Sequence, residues 1–428
     1  MDTSSPWRGF LTTISVLAAL LGFASGSAAL VGFGVGWAAL CGLAFVASRR
    51  RLRGLKVERR LPASAFEDDL LTVDLLLENH SPRPARFVVA NDVFGAGLAD
   101  RQSVLEAGPL PELHRRVLSY RAFVARQWGL YTVGPLSVGG YDPLGLFFAR
   151  EEIPRLDAFE VFPKAVEIES LSARGGRASV SPHDVTASAA GQSLLFRGVR
   201  EFRAGDDVRR IHWPATARRG IPMVREYERD LQPLFTVFLD LGQGSRAGVG
   251  RKSTLEYLIR VGASLLWTAH RRGDVLALVA ESDRPVLVPP GQGEAHLAAG
   301  LHELVVARQR GKTPLVEVVE RHREMLSPGS TAALVAGTTE IDLDALASMV
   351  KALHAGAVRP LAVVVDALSF TPVDRPPTPV EVARESRRAL EERLLILQVP
   401  TAFLDASEAP EETLRRPDLF ATPEQAAS

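Results

Sequence analysis

The sequence predicts three parts in series: a membrane hairpin of two helices, a β-sandwich, and a three-layer α/β unit on a mostly parallel sheet. Three observations carry this expectation. Residues 9–48 contain no charged side chain. Between about Leu55 and Val166, short apolar runs are broken at close intervals by Pro, Gly and Asn, the pattern of a small sandwich. After Asp230, β-prone apolar runs alternate with runs of helical periodicity, which argues for a parallel sheet covered by helices on both faces.

Composition sets wide bounds. The chain has 428 residues, 46% of them hydrophobic, with 50 basic against 50 acidic side chains. That is enough apolar material for more than one core, and the balanced charge gives no global bias toward nucleic acid. A single cysteine, Cys41, excludes an intrachain disulfide framework and fits a reducing compartment.

The uncharged N-terminal stretch is long enough for two helices of roughly 18 to 20 residues, the length a bilayer core demands. Small residues at Gly26 to Ala28 mark the hairpin turn, and Gly32, Gly34, Gly36 and Ala38 allow close helix approach. A cleaved signal peptide is the alternative, but the apolar stretch is too long for one h-region. Arg8 stands on one flank, and Arg49, Arg50, Arg51, Arg53 and Lys56 on the other. The positive-inside bias therefore predicts a multi-pass protein of the inner or plasma membrane with its soluble parts in the cytoplasm.

The predicted boundaries are 1–48 for the hairpin, 49–170 for the sandwich, 171–230 for a linker and signature segment, 231–405 for the α/β unit and 406–428 for a flexible tail. In the sandwich, Leu70–Glu78, Arg86–Val93, Arg115–Phe123, Gly129–Val133 and Leu136–Gly139 read as strands. Turns are expected at Asn79–Pro84, Ala107–Pro111 and Tyr141–Pro143. Trp128, Tyr131, Phe147 and Phe148 read as core or packing residues. Ser172–Ser193, rich in Gly, Ser, Ala and Thr, reads as a connector. Its His183 and Asp184 have no second His or Cys at metal-ligand spacing.

In the last unit the expected strands are Leu234–Asp240, Val275–Ala280, Pro285–Pro289 at an edge, Thr331–Ala336 and Pro360–Val365. Helices are expected at Ser253–Arg271, Glu294–Arg308, Leu315–Leu326 and Asp342–Ala355, with a final helix–strand pair inside Val380–Val399. The residues after about Ala406, rich in Pro, Glu and Ala, read as loose.

The most distinctive stretch is Phe196–Leu241, FRGVREFRAGDDVRRIHWPATARRGIPMVREYERDLQPLFTVFLDL. Asp206 or Asp207 is placed to cap a helical turn at Val208–Ile211. Pro214 suits the first turn of a second short helix that stops at Gly220, and Met223–Tyr227 alternates like an edge strand. The candidate partner-binding residues are Arg200, Glu201, Arg203, Asp206, Asp207, Arg209, Arg210, His212, Trp213, Arg218, Arg225 and Glu226. Arg and Trp are preferred hot-spot residues of protein interfaces. A place in a short helix between two domains predicts a buried Trp213, and an exposed anchor is the other reading.

The run GVREFRAGDDVRRIHWPATARRG followed by TVFLD resembles the signature of the bacterial family called domain of unknown function 58. Upstream, RQWGLYTVGP and DPLGLF resemble further runs of that family. Pro214 and Phe202 stand where the family usually carries a basic residue and a Tyr. The resemblance implies a protein partner of the MoxR type among AAA+ ATPases and a role in envelope-related assembly or maturation.

The last unit resembles the von Willebrand factor type A domain, in which an Asp-x-Ser-x-Ser loop after the first strand holds a divalent cation. Here Asp240 has that address, at the carboxyl end of a strand where open α/β sheets bind ligands. Both hydroxyl positions are glycine, Gly242 and Gly244, and Ser245 is one residue out of register. A hard cation needs several oxygen ligands, so a degenerate position with no metal and no cofactor is expected; Thr338 and Thr339 are the remaining oxygen donors considered. No GxSxG and no GxxxxGK[ST] frame is present. The expected function is thus a membrane-anchored, non-enzymatic scaffold or adaptor for protein partners, without nucleic acid. The alternative is a hydrolase or nucleic-acid-binding protein using the Arg/Asp/His cluster of the signature segment.

Overall fold

The computed structural model describes residues 7–420 except 53, 83, 93–102, 125–126, 143–144, 146, 175–195, 204–205, 228–232, 339–340 and 371–376. The chain forms two compact units, Met1–Lys164 and Ala165–Ser428.

The first unit opens with α1 (Trp7–Ala24) and α2 (Ala28–Leu52), which turn on Ser25–Ser27 with Gly26 at φ 66°. The helices meet at backbone distance. A Cβ on Gly34 would lie 2.6 Å from the Ala19 nitrogen, and one on Gly22 2.5 Å from the Val31 nitrogen, so both positions need glycine. Among the described residues one helix, Ala28–Arg50, is long and apolar enough to cross a membrane. The first of the two expected crossings falls on α1, whose apolar stretch among the described residues is the shorter Thr13–Ala24.

Among the described residues of the first unit ten strands follow: β1 (Leu55–Arg60), β2 (Ser64–Phe66), β3 (Leu70–Asn79), β4 (Ala85–Asp92), β5 (Ser103–Leu110), β6 (Arg115–Phe123), β7 (Gly129–Val133), β8 (Leu136–Tyr141), β9 (Phe148–Ile153) and β10 (Asp157–Phe162). They form three sheets, ordered β1-β3-β6, β2-β10-β7 and β5-β4-β8-β9. Val73, Leu75 and Leu77 of β3, Ala90 of β4, Val133 of β7 and Phe159 of β10 join in one core. The strand β5 runs through the expected turn at Ala107–Pro111. It can carry Pro109 because it lies at a sheet edge, and Gly108, at φ 60°, accompanies an irregular register against β4. Phe147 is buried with Cys41 and Ala44 of α2; Trp128 and Tyr131 are half-buried.

Beneath that core, Arg59 of β1 is clamped with no side-chain exposure. It pairs with the fully buried Asp92 at the end of β4 through Nε at 2.9 Å and through a second guanidinium contact. It also donates to Asp157 at 2.7 Å and to the Val133 carbonyl at 3.1 Å. Tyr120 of β6 donates to Asp92 at 2.6 Å. Burial pushes the Tyr120 hydroxyl pKa up, and the bond to Asp92 raises it further.

The second unit starts with α3 (Glu169–Arg174), then the antiparallel pair β11 (Phe196–Glu201) and β12 (Met223–Tyr227), with α4 (Trp213–Arg219) between them. Next come β13 (Leu234–Leu239), the small hairpin β14 (Gly248–Val249) and β15 (Lys252–Ser253), α5 (Thr254–Arg271), β16 (Val275–Glu281) and β17 (Pro285–Gly291). The remainder is α6 (Glu294–Val306), α7 (Leu315–Arg321), β18 (Thr331–Gly337), α8 (Leu343–Ala355), β19 (Arg359–Val365), α9 (Pro377–Ile396), β20 (Thr401–Leu404) and α10 (Pro410–Leu414). The main sheet has the order β17-β16-β13-β18-β19-β20. All neighbours in it are parallel except β16 and β17. Every residue of β13 is buried, as a central strand covered on both faces requires.

Two expectations change at the C-terminal end. The apolar run near Leu394 is not a strand: Leu390 and Leu394, four residues apart, both enter the core, so α9 extends to Ile396 and the strand forms at Thr401–Leu404. Residues 406–420 are not a loose tail. Leu414 is fully buried and Phe420 is 1% exposed; Tyr257 donates to the Glu408 carbonyl at 2.7 Å; and Arg260 of α5 joins Glu256 at 2.6 Å and pairs with Glu411. Residues 421–428 lie outside the described part, as do 175–195, most of the expected connector with His183 and Asp184.

Candidate functional site

The signature segment folds as a compact excursion on the β11–β12 pair. Asp207 caps a short 3-10 turn at Val208–Arg210 by accepting from the Arg209 backbone N–H at 3.0 Å. His212 caps α4, its Nδ1 accepting from the Ala215 N–H at 3.1 Å, which fixes that nitrogen as the unprotonated one. Gly220 ends α4 at φ 72°, the left-handed conformation that favours glycine at this position. Thr216 accepts from the Met223 N–H at 3.0 Å and so ties the helix to β12. Beneath these contacts only the strand side is buried: Met223 and Val224 are core residues, whereas α4 has none.

This places the predicted residues in two groups. Asp206, Asp207 and His212 are engaged in local structure. Asp206 accepts two bonds of 2.7 Å from the Arg200 guanidinium and one of 2.8 Å from the Arg203 N–H. Glu201, Arg203, Arg209, Arg218 and Arg225 are exposed. The side chains of Arg210 and Glu226 lie outside the described part. Arg200 is thus held in the fork with Asp206, while Arg203, Arg209 and Arg218 face solvent.

Trp213 corrects the expectation of a buried residue. It is 68% exposed, because it is the first residue of a short helix held down by its His212 cap and by Thr216. Val208 at 64% and Ile221 at 40% are also exposed on this segment, as are Arg203, Arg209 and Arg218.

The fork on Asp206 holds its carboxyl well below the usual range, at about 2, mainly through the Arg200 hydrogen bonds and secondarily through the Arg203 N–H. A carboxyl depressed in the folded state contributes stability above its unfolded pKa and loses it as pH falls through the folded value. We expect the order of the β11–β12 excursion to be retained at pH 5 and lost between about pH 4 and pH 2. The Asp206→Asn variant should lack that transition in backbone-amide chemical shifts of 199–206.

A second cluster stands at the carboxyl end of the main sheet. Asp240 accepts from the Gly242 N–H at 2.8 Å, and a Cβ on Gly242 would lie 2.9 Å from the same oxygen. Glycine therefore lets the loop fold tightly over the carboxylate, and a 3-10 turn at Gln243–Ser245 follows. That turn carries Ser245 back against Gly337, where a Cβ would lie 2.4 Å from the Ser245 Cβ. The Ser245 hydroxyl donates to the Gly242 carbonyl at 3.2 Å. Ser245 accepts from Gln309 at 3.0 Å, and Thr254 donates to Gln309 at 3.2 Å, so protein groups occupy the surroundings of Asp240. Thr338 is used elsewhere, accepting from the Ala367 N–H at 3.1 Å, and Thr339 lies outside the described part. Among the described residues no three His, Cys, Asp or Glu side chains cluster as a metal site.

Burial pushes the Asp240 carboxyl up, against the pull of the Gly242 and Gly337 N–H groups and Ser245. A raised acid contributes stability below its unfolded pKa of about 4 and loses it as pH rises through the folded value. The Asp240→Asn variant should therefore gain stability relative to the native chain as pH rises from about 4 to 7. Urea unfolding across that range checks this, and parallel curves would contradict it.

The model of a family described as protein of unknown function DUF58 matches residues 198–368, which supports that family for this chain. No curated protein matches. Among solved structures, the CARDB domain of the PF1109 protein from Pyrococcus furiosus, in complex with di-metal ions, is 14% identical at a TM-score of 0.19, covering 26% of this chain and 94% of that one. Manganese-loaded TRAP protein of Plasmodium vivax is 13% identical at 0.29, covering 44% and 74%. Proximal thread matrix protein 1 from the mussel byssus is also 13% identical at 0.29, and the chain spans 46% of its length.

Proposed function

We propose that the chain is a membrane-anchored scaffold or adaptor that binds a protein partner through its signature segment, without catalysis or nucleic-acid binding of its own. The observation that carries this reading is the 68% exposure of Trp213 on a helix with no buried residue. An exposed aromatic on a segment that also carries the exposed Arg203, Arg209 and Arg218 has the composition of an interface hot spot. The acid–base candidates beside it are engaged as a fork and as caps, which leaves a binding reading stronger than a catalytic one.

The second unit is read as von Willebrand A-like, supported by its six-strand order with an antiparallel edge strand. The helix Ala28–Arg50, with the arginines at its end, supports anchorage in the inner or plasma membrane with the residues that follow it on the cytoplasmic side. The family resemblance points to a MoxR-type AAA+ ATPase as partner, in envelope-related assembly or maturation. Photo-crosslinking from position 213 in native membranes tests the reading: an ATPase should be captured from Trp213 and not from a probe at Val249. Capture of RNA or DNA, or hydrolytic activity in the purified chain, would replace it.

A further inference from the structure

A second surface, separate from the signature segment, lies at the carboxyl end of the main sheet. Residues 241–253 and 308–313 are bound together there. Gly311 donates to the Leu241 carbonyl at 2.8 Å and accepts from the Gln243 N–H at 3.0 Å. The Gln243 side chain reaches the Arg310 carbonyl at 3.1 Å, and Gln309 bridges Ser245 and Thr254. These joined loops carry Arg246, Arg251, Lys252, Arg308, Arg310 and Lys312, all exposed, and neither stretch contains an Asp or Glu. The neighbouring Glu281 is engaged by Thr313 at 2.5 Å and by Arg321 at 3.0 Å. In a chain whose total charge is balanced, this is a local concentration of positive charge.

At its edge the hairpin β14–β15 lifts Val249 to 89% exposure between Gly248 and Gly250, both at positive φ. One aliphatic side chain on a ring of cations is too small to anchor a protein interface, where Trp, Tyr and Arg dominate. The loops hold no aromatic residue, so a single-stranded nucleic acid would find phosphate contacts and no stacking platform. An anionic lipid surface needs neither: it rewards each nearby Lys or Arg, and its headgroup layer accepts a small apolar tip. A chain with a helix able to cross a bilayer keeps that surface close, so weak attraction acts at high effective concentration.

We propose that the joined loops 241–253 and 308–313 form a docking face for anionic phospholipid headgroups, with Val249 entering the headgroup layer. The face is independent of the signature segment, and its partner is the bilayer that holds the chain.

The test uses the full chain with Val249→Cys in a Cys41→Ala background, labelled with bimane and reconstituted in nanodiscs of phosphatidylcholine alone or mixed with phosphatidylglycerol. Bromolipid should quench the probe several-fold more in the phosphatidylglycerol discs, and the difference should vanish at high salt. Adding Arg310→Glu and Lys312→Glu should also abolish it, while the circular dichroism stays native. Equal quenching in both discs, or a difference that survives both salt and charge reversal, would overturn the proposal. So would protection of the probe only on addition of an oligonucleotide or an acidic protein.

Discussion

Replacing Arg59 with Leu is expected to destabilise the first unit by about 3 to 5 kcal/mol, the cost of leaving a buried charge without its partner. Asp92 has no side-chain exposure and, among the described residues, would keep the Tyr120 hydroxyl as its side-chain hydrogen-bond donor. Asp157 is partly exposed and would be resolvated. The loss comes from the stranded Asp92 carboxylate more than from the absent attraction. Replacing Asp92 with Leu in the same chain should therefore recover a large part of the stability. Chemical denaturation of the detergent-solubilised protein gives both values. A cost below about 1 kcal/mol for the single change would mean that Asp92 reaches water.

The second large effect is expected at Phe420, a residue in the part of the sequence that reads as a tail. Phe420→Ala should cost about 3 to 5 kcal/mol, as truncation of a buried aromatic does. The same denaturation measurement on the second unit's transition checks it. A change within about 0.5 kcal/mol would return 406–420 to the status of a loose extension.

These two residues show where the sequence was legible and where it was not. Alternating strands and helices, the all-buried β13 and the helix α5 follow from local periodicity, because each is long enough for the pattern to repeat. The stop at Gly220 and a capping aspartate before Val208 follow from turn and cap chemistry, which acts over three or four residues. Arg59 gives no such signal: its partners are 33 and 98 residues away, and an arginine in a strand normally reads as a solvent-facing position. Leu414 and Phe420 are two apolar residues in a charged stretch, so composition hides them. Trp213 was misread for a related reason. Its residue type predicts burial, while the short helix beneath it is fixed by hydrogen bonds and leaves its outer face open. At Asp240 the sequence shows the missing hydroxyls, but only the fold shows that the Gly242 N–H takes up the carboxylate and that Ser245 turns to the Gly242 carbonyl.

A paired measurement on Trp213→Ala tests whether Trp213 is an exposed anchor for a protein partner. With the partner recovered by crosslinking, affinity and melting temperature are measured on the native and variant chains. An anchor should lose about 30-fold or more in affinity, corresponding to about 2 kcal/mol, with folding stability within about 0.5 kcal/mol of native. Intact binding accompanied by a stability loss of about 3 to 5 kcal/mol would contradict it and make Trp213 a packing residue.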